Sequence, residues 1–152
     1  MRVFESIDEL RALIGHEAAV GEWFTVDQAR INGFAEVTGD HQWIHVDVER
    51  AKVESPYGGT IAHGFLTLSL LSQLSRECFE IRGDYPVRIN YGLNRVRFPS
   101  AVPAGARVRA RFTPQAVEVV EGGWQVVWAV TVDLEGAAKP AAYAEWAVRL
   151  YR

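Results

Sequence analysis

The sequence predicts an α+β fold in which a curled antiparallel sheet wraps around one long, buried central helix. Residues 61–80 are apolar on nearly every side, which is typical of a helix enclosed by other structure. From about residue 86 the apolar period changes to two, which indicates a run of antiparallel strands. Small helices precede the long one, and this order of elements favours the α+β class. A chain of 152 residues fits one domain, residues 1–152, with one core.

The first predicted element is a short amphipathic helix. Ser6 and Glu9 have capping-box spacing, and apolar residues follow at helical intervals, so we predict a helix over residues 6–14. Gly15 ends this helix, and residues 17–24 are predicted to be extended.

A second helix is predicted to begin at Thr25, which has capping-box spacing with Gln28. Gly39 suits the C-terminal cap of this helix. The apolar residues of the segment share one helical face, and they are Val26, Ala29, Gly33, Phe34 and Val37.

A carboxylate and an imidazole follow directly after that helix. We predict that Asp40 and His45 lie in the loop beyond it, where the backbone is free to aim both side chains inward as a proton-transfer pair. Asp47 is predicted to cap another short helix. The glycine turn at residues 58–59 leads into the buried helix, whose free N-terminal amides suit an oxygen that gains negative charge. These features together suggest acid–base chemistry on a carbonyl compound.

Four strands are predicted after the buried helix. The first covers about residues 87–98 and bends near Gly92 or Asn94. The second has an arginine face and an apolar face, and residues 121–123 suit a hairpin turn after it. The outward residues of the second strand are Arg107, Arg109 and Arg111, and the inward residues of the last two are Trp124, Val126, Trp128, Val130, Val132, Ala142, Ala144, Trp146, Val148 and Leu150.

Composition excludes several classes of protein. A formal net charge of −3 gives no global field for nucleic acid. Cys78 is the only cysteine, so no intrachain disulfide is expected. The N-terminus lacks the pattern of a signal peptide, and charged residues interrupt the chain before any membrane-spanning length. A cytoplasmic protein that binds neither nucleic acid nor membrane is therefore expected.

A single curled sheet over one helix leaves an edge strand unpaired. Part of the helix is also expected to stay exposed, and pairing with a second copy would cover both. The sequence therefore predicts a homodimer.

Two motifs together resemble a known family. Residues 38–45, Thr-Gly-Asp-His-Gln-Trp-Ile-His, followed by Ala51, with Ala-His-Gly at residues 62–64, resemble the MaoC-like (R)-specific enoyl-CoA hydratases of the hotdog fold. The segment of residues 89–99 is similar to the branch that includes nodulation protein N. The resemblance covers almost the whole chain.

The resemblance implies a reaction and a set of site residues. The reaction is reversible addition of water to a trans-2-enoyl-CoA thioester, giving an (R)-3-hydroxyacyl-CoA. Asp40 and His45 would be the catalytic pair, the amide of Gly64 would polarise the thioester carbonyl, and Ser72 would line the pocket. Tyr91 would also contact substrate. The stereochemistry rests on the resemblance alone.

The chain departs from the family pattern at two adjacent positions. The commonest family sequence has asparagine-proline where this chain has Gln42-Trp43. Gln42 is still placed with the substrate-binding residues, and the change bears on acyl chain length more than on the reaction. Hydration of this kind requires no metal, flavin or nicotinamide. Coenzyme A arrives with the substrate and is not a cofactor.

Plainer interpretations of the same residues stay open. Asp40 could cap a turn, and His45 could be a buried, hydrogen-bonded histidine. His41, His45 and Asp47 also have spacing that a metal ion could use.

Several arginines suggest anion binding. Arg95 and Arg97 are candidates for the phosphates of coenzyme A, and a plain surface role is the alternative. The arginine face of the second strand is interpreted as solvated.

Three other functions compete with hydration. A hotdog thioesterase would usually carry an acidic residue on the central helix or in a different N-terminal motif, and an acyl-carrier-protein dehydratase would carry one on the helix. Residues 64–76 contain no Asp or Glu. A non-catalytic acyl-CoA binding module would need the pocket but not both Asp40 and His45. Their joint presence favours a hydratase.

Overall fold

The computed structural model describes residues 1–152 and contains six helices and eight strands. The helices are α1 (Ile7–Ala12), α2 (Gln28–Thr38), α3 (Trp43–Val46), α4 (Val48–Glu54), α5 (Gly64–Ser69) and α6 (Leu71–Cys78). The strands are β1 (Arg2–Phe4), β2 (Ala19–Val20), β3 (Phe24–Thr25), β4 (Phe79–Ile81), β5 (Val87–Arg97), β6 (Arg107–Val120), β7 (Gly123–Leu134) and β8 (Ala142–Tyr151).

The main sheet is antiparallel and has six strands. Its order is β2-β6-β7-β8-β5, and β3 pairs with β6 beside β2. Helices α5 and α6 pack against β8 and β6. The predicted α+β class is confirmed. A second, parallel pair of β1 and β4 was not predicted, because strands of three residues are too short to show an alternating pattern.

The inner face of the sheet forms the core. The inward residues predicted for β7 and β8 are buried except Trp124, which is partly buried and packs against the core. A hairpin turn with Gly122 at φ 77° joins β6 to β7 as predicted. Phe79, Phe112 and Trp128 form an aromatic cluster with ring centroids 4.8–5.9 Å apart. On the outer face, the predicted arginine row of β6 makes ion pairs with Glu135, Asp133 and Glu17.

The central helix is shorter than predicted and is divided in two. It begins at Gly64 because the preceding backbone pairs elsewhere: Ile61 bridges Pro103, and the Ala62 amide donates to Val102. Leu70 separates α5 from α6 but keeps right-handed helical angles and donates to the Leu66 carbonyl, so the two halves follow each other without a large turn. The segment after Cys78 forms β4 and not helix.

The predicted start of the second helix is wrong. Thr25 belongs to β3, and Asp27 caps α2 by accepting a hydrogen bond from the Arg30 amide at 2.8 Å. At the other end, Gly39 takes a left-handed conformation with φ 76°, as predicted for a C-terminal cap.

The first helix and the helix after Asp47 are confirmed. Ser6 caps α1 by accepting a hydrogen bond from the Glu9 amide. Asp47 caps α4 by accepting one from the Arg50 amide. His45 was predicted to lie in a loop and instead belongs to the one-turn helix α3.

Strand β5 forms one edge of the sheet. Its pairing with β8 shifts register between Asn90 and Gly92 and again between Leu93 and Arg95, so the predicted bend corresponds to two bulges. Its large apolar residues are about half exposed, and they are Val87, Ile89, Tyr91 and Leu93. None of the helices has both the length and the apolar character that crossing a bilayer requires.

Candidate active site

Three side chains from separate segments meet beside the start of the central helix. Asp40 follows α2, His45 lies in α3, and His63 directly precedes α5. A carboxylate oxygen of Asp40 and ring nitrogens of the two histidines lie within 4.8 Å of one another. This separation allows one water molecule to contact both Asp40 and His45, because each hydrogen bond spans about 2.6–3.2 Å.

Asp40 is held at the end of the turn that Gly39 begins. Its Oδ1 accepts a hydrogen bond from the Gln42 amide at 3.3 Å, and the side chain is exposed in the single protomer. The Asp40 carbonyl accepts a hydrogen bond from His63 Nε2 at 2.9 Å. The carboxylate therefore keeps lone pairs for a water molecule while its backbone is fixed.

His45 is buried, and a hydrogen bond fixes its tautomer. Its Nδ1 lies 2.7 Å from the carbonyl oxygen of Ile61, which can only accept, so Nδ1 carries a proton. In the neutral ring Nε2 is then an acceptor. The backbone of His45 is also held, since its carbonyl accepts from Gln28 Nε2 at 2.7 Å. Gln28 in turn accepts a hydrogen bond from the buried hydroxyl of Thr60.

Gly64 begins α5 on the wall of a cleft of about 520 Å³ that His45 also lines. As the first residue of the helix, it has an amide without a backbone acceptor. A Cβ at this position would lie 3.0–3.1 Å from the ring of Phe98, so only glycine fits without displacing that ring. Asp40 does not line this cleft in the single protomer.

The central helix borders the cleft and two smaller cavities in turn, and we call this row of cavities the groove. Most of the helix residues that line it share one face, with Ser69 and Arg76 beside that face, and they are Gly64, Thr67, Leu68, Leu71, Ser72 and Ser75. Ser72 and Asn90 line both smaller cavities, and Asn90 Nδ2 donates to Ser72 Oγ at 3.2 Å. Ser72 lies roughly 12 Å along the helix axis from Gly64, at 1.5 Å rise per residue.

The structure brings Asp40 and His45 together and places Gly64 with His45 in the wall of the cleft, whereas other predicted site residues lie farther out. Gln42 contributes its backbone amide to Asp40, and its side chain is exposed. Tyr91 lies on the outer side of the sheet, where its ring contacts the Arg149 guanidinium at 3.4 Å from the centroid. Within one protomer it does not line the cleft.

The two arginines proposed for coenzyme A phosphates are free of acidic partners. Arg95 and Arg97 lie near the C-terminal end of the edge strand, shortly before Phe98 in the cleft wall. Both are exposed, and neither forms an ion pair. Their positive charge is therefore available to an anion beside the cleft.

The metal trio considered from spacing is not assembled. His41 pairs with Glu36 at 2.7 Å, a hydrogen bond that raises the pKa of His41, and Asp47 caps α4. The cluster that forms instead contains Asp40, His45 and His63. Its two imidazole rings are stacked with centroids 3.8 Å apart and 25° between planes, so their in-plane lone pairs run side by side and do not converge on one ion. This geometry does not favour a metal.

The site contains two residues whose importance the sequence did not reveal. His63 belongs to the Ala-His-Gly motif, but its contact with His45 depends on the tertiary fold. Gln28 was assigned to a helix cap, yet its side chain contacts the backbone of His45. Neither position carries a local sequence signal for these contacts.

The sequence is similar to a known domain family and to several named proteins. The profile of the MaoC like domain matches residues 10–137. The chain is 49% identical over 150 residues to a Mycobacterium tuberculosis protein named 3-hydroxyacyl-thioester dehydratase Z, with 98% of each chain covered. It is 47% identical over 142 residues to nodulation protein N of Rhizobium leguminosarum bv. viciae, covering 93% of this chain and 88% of the relative.

Solved structures agree on the fold. The R-hydratase PhaJ1 from Pseudomonas aeruginosa aligns with a TM-score of 0.71 at 23% identity, covering 91% of this chain and 82% of that one. An (R)-hydratase from A. caviae involved in PHA biosynthesis aligns with the same TM-score and identity, covering 90% and 96%. The fold is thus the hotdog fold of these enzymes. Taken with the sequence relatives, these findings show that the chain belongs to the MaoC-like domain family and is a hydro-lyase of the hydratase/dehydratase type.

Proposed function

We propose that the protein catalyses the reversible addition of water to trans-2-enoyl-CoA, giving (R)-3-hydroxyacyl-CoA. The observation that carries this proposal is the Asp40 carboxylate within 4.8 Å of the His45 imidazole, beside a cleft that Gly64 lines. The relative named 3-hydroxyacyl-thioester dehydratase Z and the two (R)-hydratase structures support the substrate class and the stereochemistry.

The proposed reaction needs only the groups at the site. A water molecule donates hydrogen bonds to the Asp40 carboxylate and to His45 Nε2. As its oxygen bonds to C3 of the enoyl group, one of the two accepts its proton, and that proton is then delivered to C2. Either residue can hold the proton between the two steps, and the enzyme returns to its starting state. Positioned proton transfer of this kind contributes about 10²–10⁴-fold to the rate.

Gly64 serves the thioester carbonyl in this scheme. Negative charge develops on the carbonyl oxygen as water adds to C3, and a backbone amide directed at that oxygen contributes roughly 3 kcal/mol. The Gly64 amide is free for this purpose, and the absence of a Cβ allows the acyl group to approach.

The groove beyond Gly64 is proposed to hold the acyl chain. It extends along the central helix to Ser72, whose hydroxyl accepts a hydrogen bond from Asn90. Gln42 and Tyr91 remain proposed substrate contacts, and Arg95 and Arg97 are proposed to bind the phosphates of coenzyme A. No metal or redox group takes part in this scheme.

A homodimer is proposed for the functional protein. Strand β5 is an unpaired edge with a row of half-exposed apolar side chains, and Phe65 of the central helix is 69% exposed. Pairing of this edge with a second copy would bury both surfaces. It would also bring Tyr91 of one protomer toward its partner. The single cysteine and the substrate class favour the cytoplasm as the location.

Hydration is tested by the loss of ultraviolet absorbance of short and medium trans-2-enoyl-CoA thioesters, with a thiol reagent present in a parallel sample. The proposal predicts loss of absorbance without free coenzyme A. In the reverse direction, (R)-3-hydroxyacyl-CoA should regain absorbance and the (S) isomer should not. Release of thiol would indicate a thioesterase. Ligand binding without any turnover would indicate an acyl-CoA binding module.

A further inference from the structure

One buried histidine contacts both members of the candidate catalytic pair. His63 is 3% exposed, and its ring packs against two others. The His45 ring stacks on it at 3.8 Å between centroids, and the Phe34 ring lies at 4.9 Å with a tilt of 56°. The ring of His63 therefore fixes the plane in which the His45 imidazole can lie.

The same ring holds the loop that carries Asp40. His63 Nε2 lies 2.9 Å from the Asp40 carbonyl oxygen, which can only accept, so Nε2 carries a proton and donates. Among the hydrogen bonds of the structure, this is the one that joins the Asp40 backbone to a side chain of another segment. Of the two members of the candidate catalytic pair, Gln28 forms a hydrogen bond only with His45, through the His45 backbone carbonyl.

The second nitrogen of His63 shows that the residue is not simply filling space. Nδ1 is buried and has no hydrogen-bond partner. A buried polar atom without a partner is unfavourable, and a phenylalanine would fill the same space without it. Nδ1 is therefore unfavourable for folding. The presence of an imidazole at this position is explained by the hydrogen bond that Nε2–H donates to the Asp40 carbonyl and by the stacking of the ring on His45.

We propose that His63 is a positioning residue for the hydration reaction: it sets the plane of the His45 ring by stacking and the place of the Asp40 carboxylate by hydrogen bonding. This inference rests on the proposed function for its kinetic consequence, but its structural content concerns the two side chains alone. His63 itself need not touch the substrate. Misplacement of a reacting group by about 1 Å can lower a rate about 10²-fold, so small shifts matter here.

Two substitutions separate the two contacts. His63→Phe keeps a ring that can stack on His45 and removes the donor to Asp40. His63→Gln keeps a donor near the place of Nε2 and removes the ring. His16→Gln, at an exposed histidine remote from the site, is the matched control. Each His63 variant is expected to lower kcat by about 10- to 100-fold with KM nearly unchanged, whereas the control should keep the wild-type kcat.

The tautomer of His45 gives a readout that a merely structural role would not move. Nitrogen–proton NMR of the imidazole rings should show His45 protonated at Nδ1 and His63 at Nε2 in the wild type. In His63→Gln, His45 should no longer show the single Nδ1–H form, because without the stacked ring the imidazole can turn out of the plane in which Nδ1 reaches the Ile61 carbonyl. In His63→Phe it should be retained while kcat falls, because only the Asp40 contact is lost.

Each arm can overturn the proposal. A wild-type His63 protonated at Nδ1 or at both nitrogens, an unchanged His45 spectrum in folded His63→Gln, or an unchanged kcat in folded His63→Phe would each do so. If one variant fails to fold, the other and the wild-type spectrum still decide. A wild type that hydrates no enoyl-CoA would overturn the proposed function instead, and the His45 spectra would still support or overturn the positioning by His63.

Discussion

The two ends of the central helix differ in how completely the chain itself organises them. At the N-terminal end, Asp40, His45 and His63 are tied by hydrogen bonds to the Gln42 amide and to the carbonyls of Ile61 and Asp40. Around Ser72, farther along, the groove is bounded by an edge strand with half-exposed apolar residues. From this difference we propose that one protomer positions the catalytic groups by itself, while a second copy completes the walls around the acyl chain.

Substitutions of Asp40 and His45, beside the N-terminal end of the central helix, should lower activity most. Asp40→Asn and His45→Gln should each lower kcat by about 10²–10⁴-fold, because each removes one proton-transfer group. The melting temperature should change little for Asp40→Asn, whose side chain is exposed. Steady-state hydration kinetics and thermal denaturation check both statements. Normal hydration by the double variant would remove these residues from the mechanism.

Gly64→Ala should also impair the site at the N-terminal end of the central helix. The added Cβ meets the Phe98 ring at 3.0–3.1 Å and lies where the acyl group approaches, so we expect kcat/KM to fall by about 10²-fold, comparable to loss of one oxyanion donor. Thermal denaturation and kinetics of Gly64→Ala with and without Phe98→Leu separate the two causes. The second substitution should restore stability but not activity. Full recovery of activity would show that the clash alone was responsible.

Dimer formation should respond to substitutions in the edge strand β5, which borders the groove around Ser72. Ile89→Lys or Leu93→Lys places a charge among the half-exposed apolar residues that are proposed to meet the partner. If either residue contributes as an interface hot spot of about 2 kcal/mol, the dimer dissociation constant rises about 30-fold. Sedimentation velocity across a concentration series measures this, with Val119→Lys, an exposed apolar residue at the far end of β6, as the control. A monomeric wild type would contradict the interface.

A smaller effect is expected for acyl chain selection. Ser72→Leu places a larger side chain in the groove beside Asn90, so activity on a medium-chain substrate should fall about 10-fold. That factor corresponds to losing the burial of about two methylene groups at ~0.8 kcal/mol each. Activity on the shortest substrate should stay unchanged. Relative kcat/KM across a chain-length series tests this, and an equal loss on all substrates would place the acyl chain elsewhere.

The smallest effect concerns the exposed pair of His41 and Glu36 beside the site. The hydrogen bond raises the pKa of His41 in the folded protein, so its stabilisation is present below the ordinary pKa of 6.5 and is lost as pH rises through the raised value. Glu36→Gln should therefore lower the melting temperature at acidic pH and leave it unchanged at alkaline pH. Because the pair is exposed, salt should reduce the difference. A difference that grows with pH would contradict the assignment.

Local sequence signals predicted much of the fold and the candidate pair. The alternation of apolar residues in β6 to β8 predicted the sheet. Gly39, which adopts φ 76°, marked the turn that leads to Asp40. What the sequence did not show depends on contacts between distant segments. Ile61 and Ala62 were predicted to be helical but lie outside the helix, because residues 102–103 provide backbone partners for them. The stacking of His63 on His45 and the bond from Gln28 to His45 likewise exist only in the folded chain.

In the proposed reaction, water adds to an intact acyl thioester through Asp40 and His45. Mass spectrometry of the products formed from a trans-2-enoyl-CoA in water enriched in the heavy oxygen isotope tests this addition. We expect heavy oxygen at C3 of an intact 3-hydroxyacyl-CoA with the wild-type protein, and almost none with Asp40→Asn/His45→Gln. Heavy oxygen in a free carboxylic acid, with coenzyme A released, would contradict it.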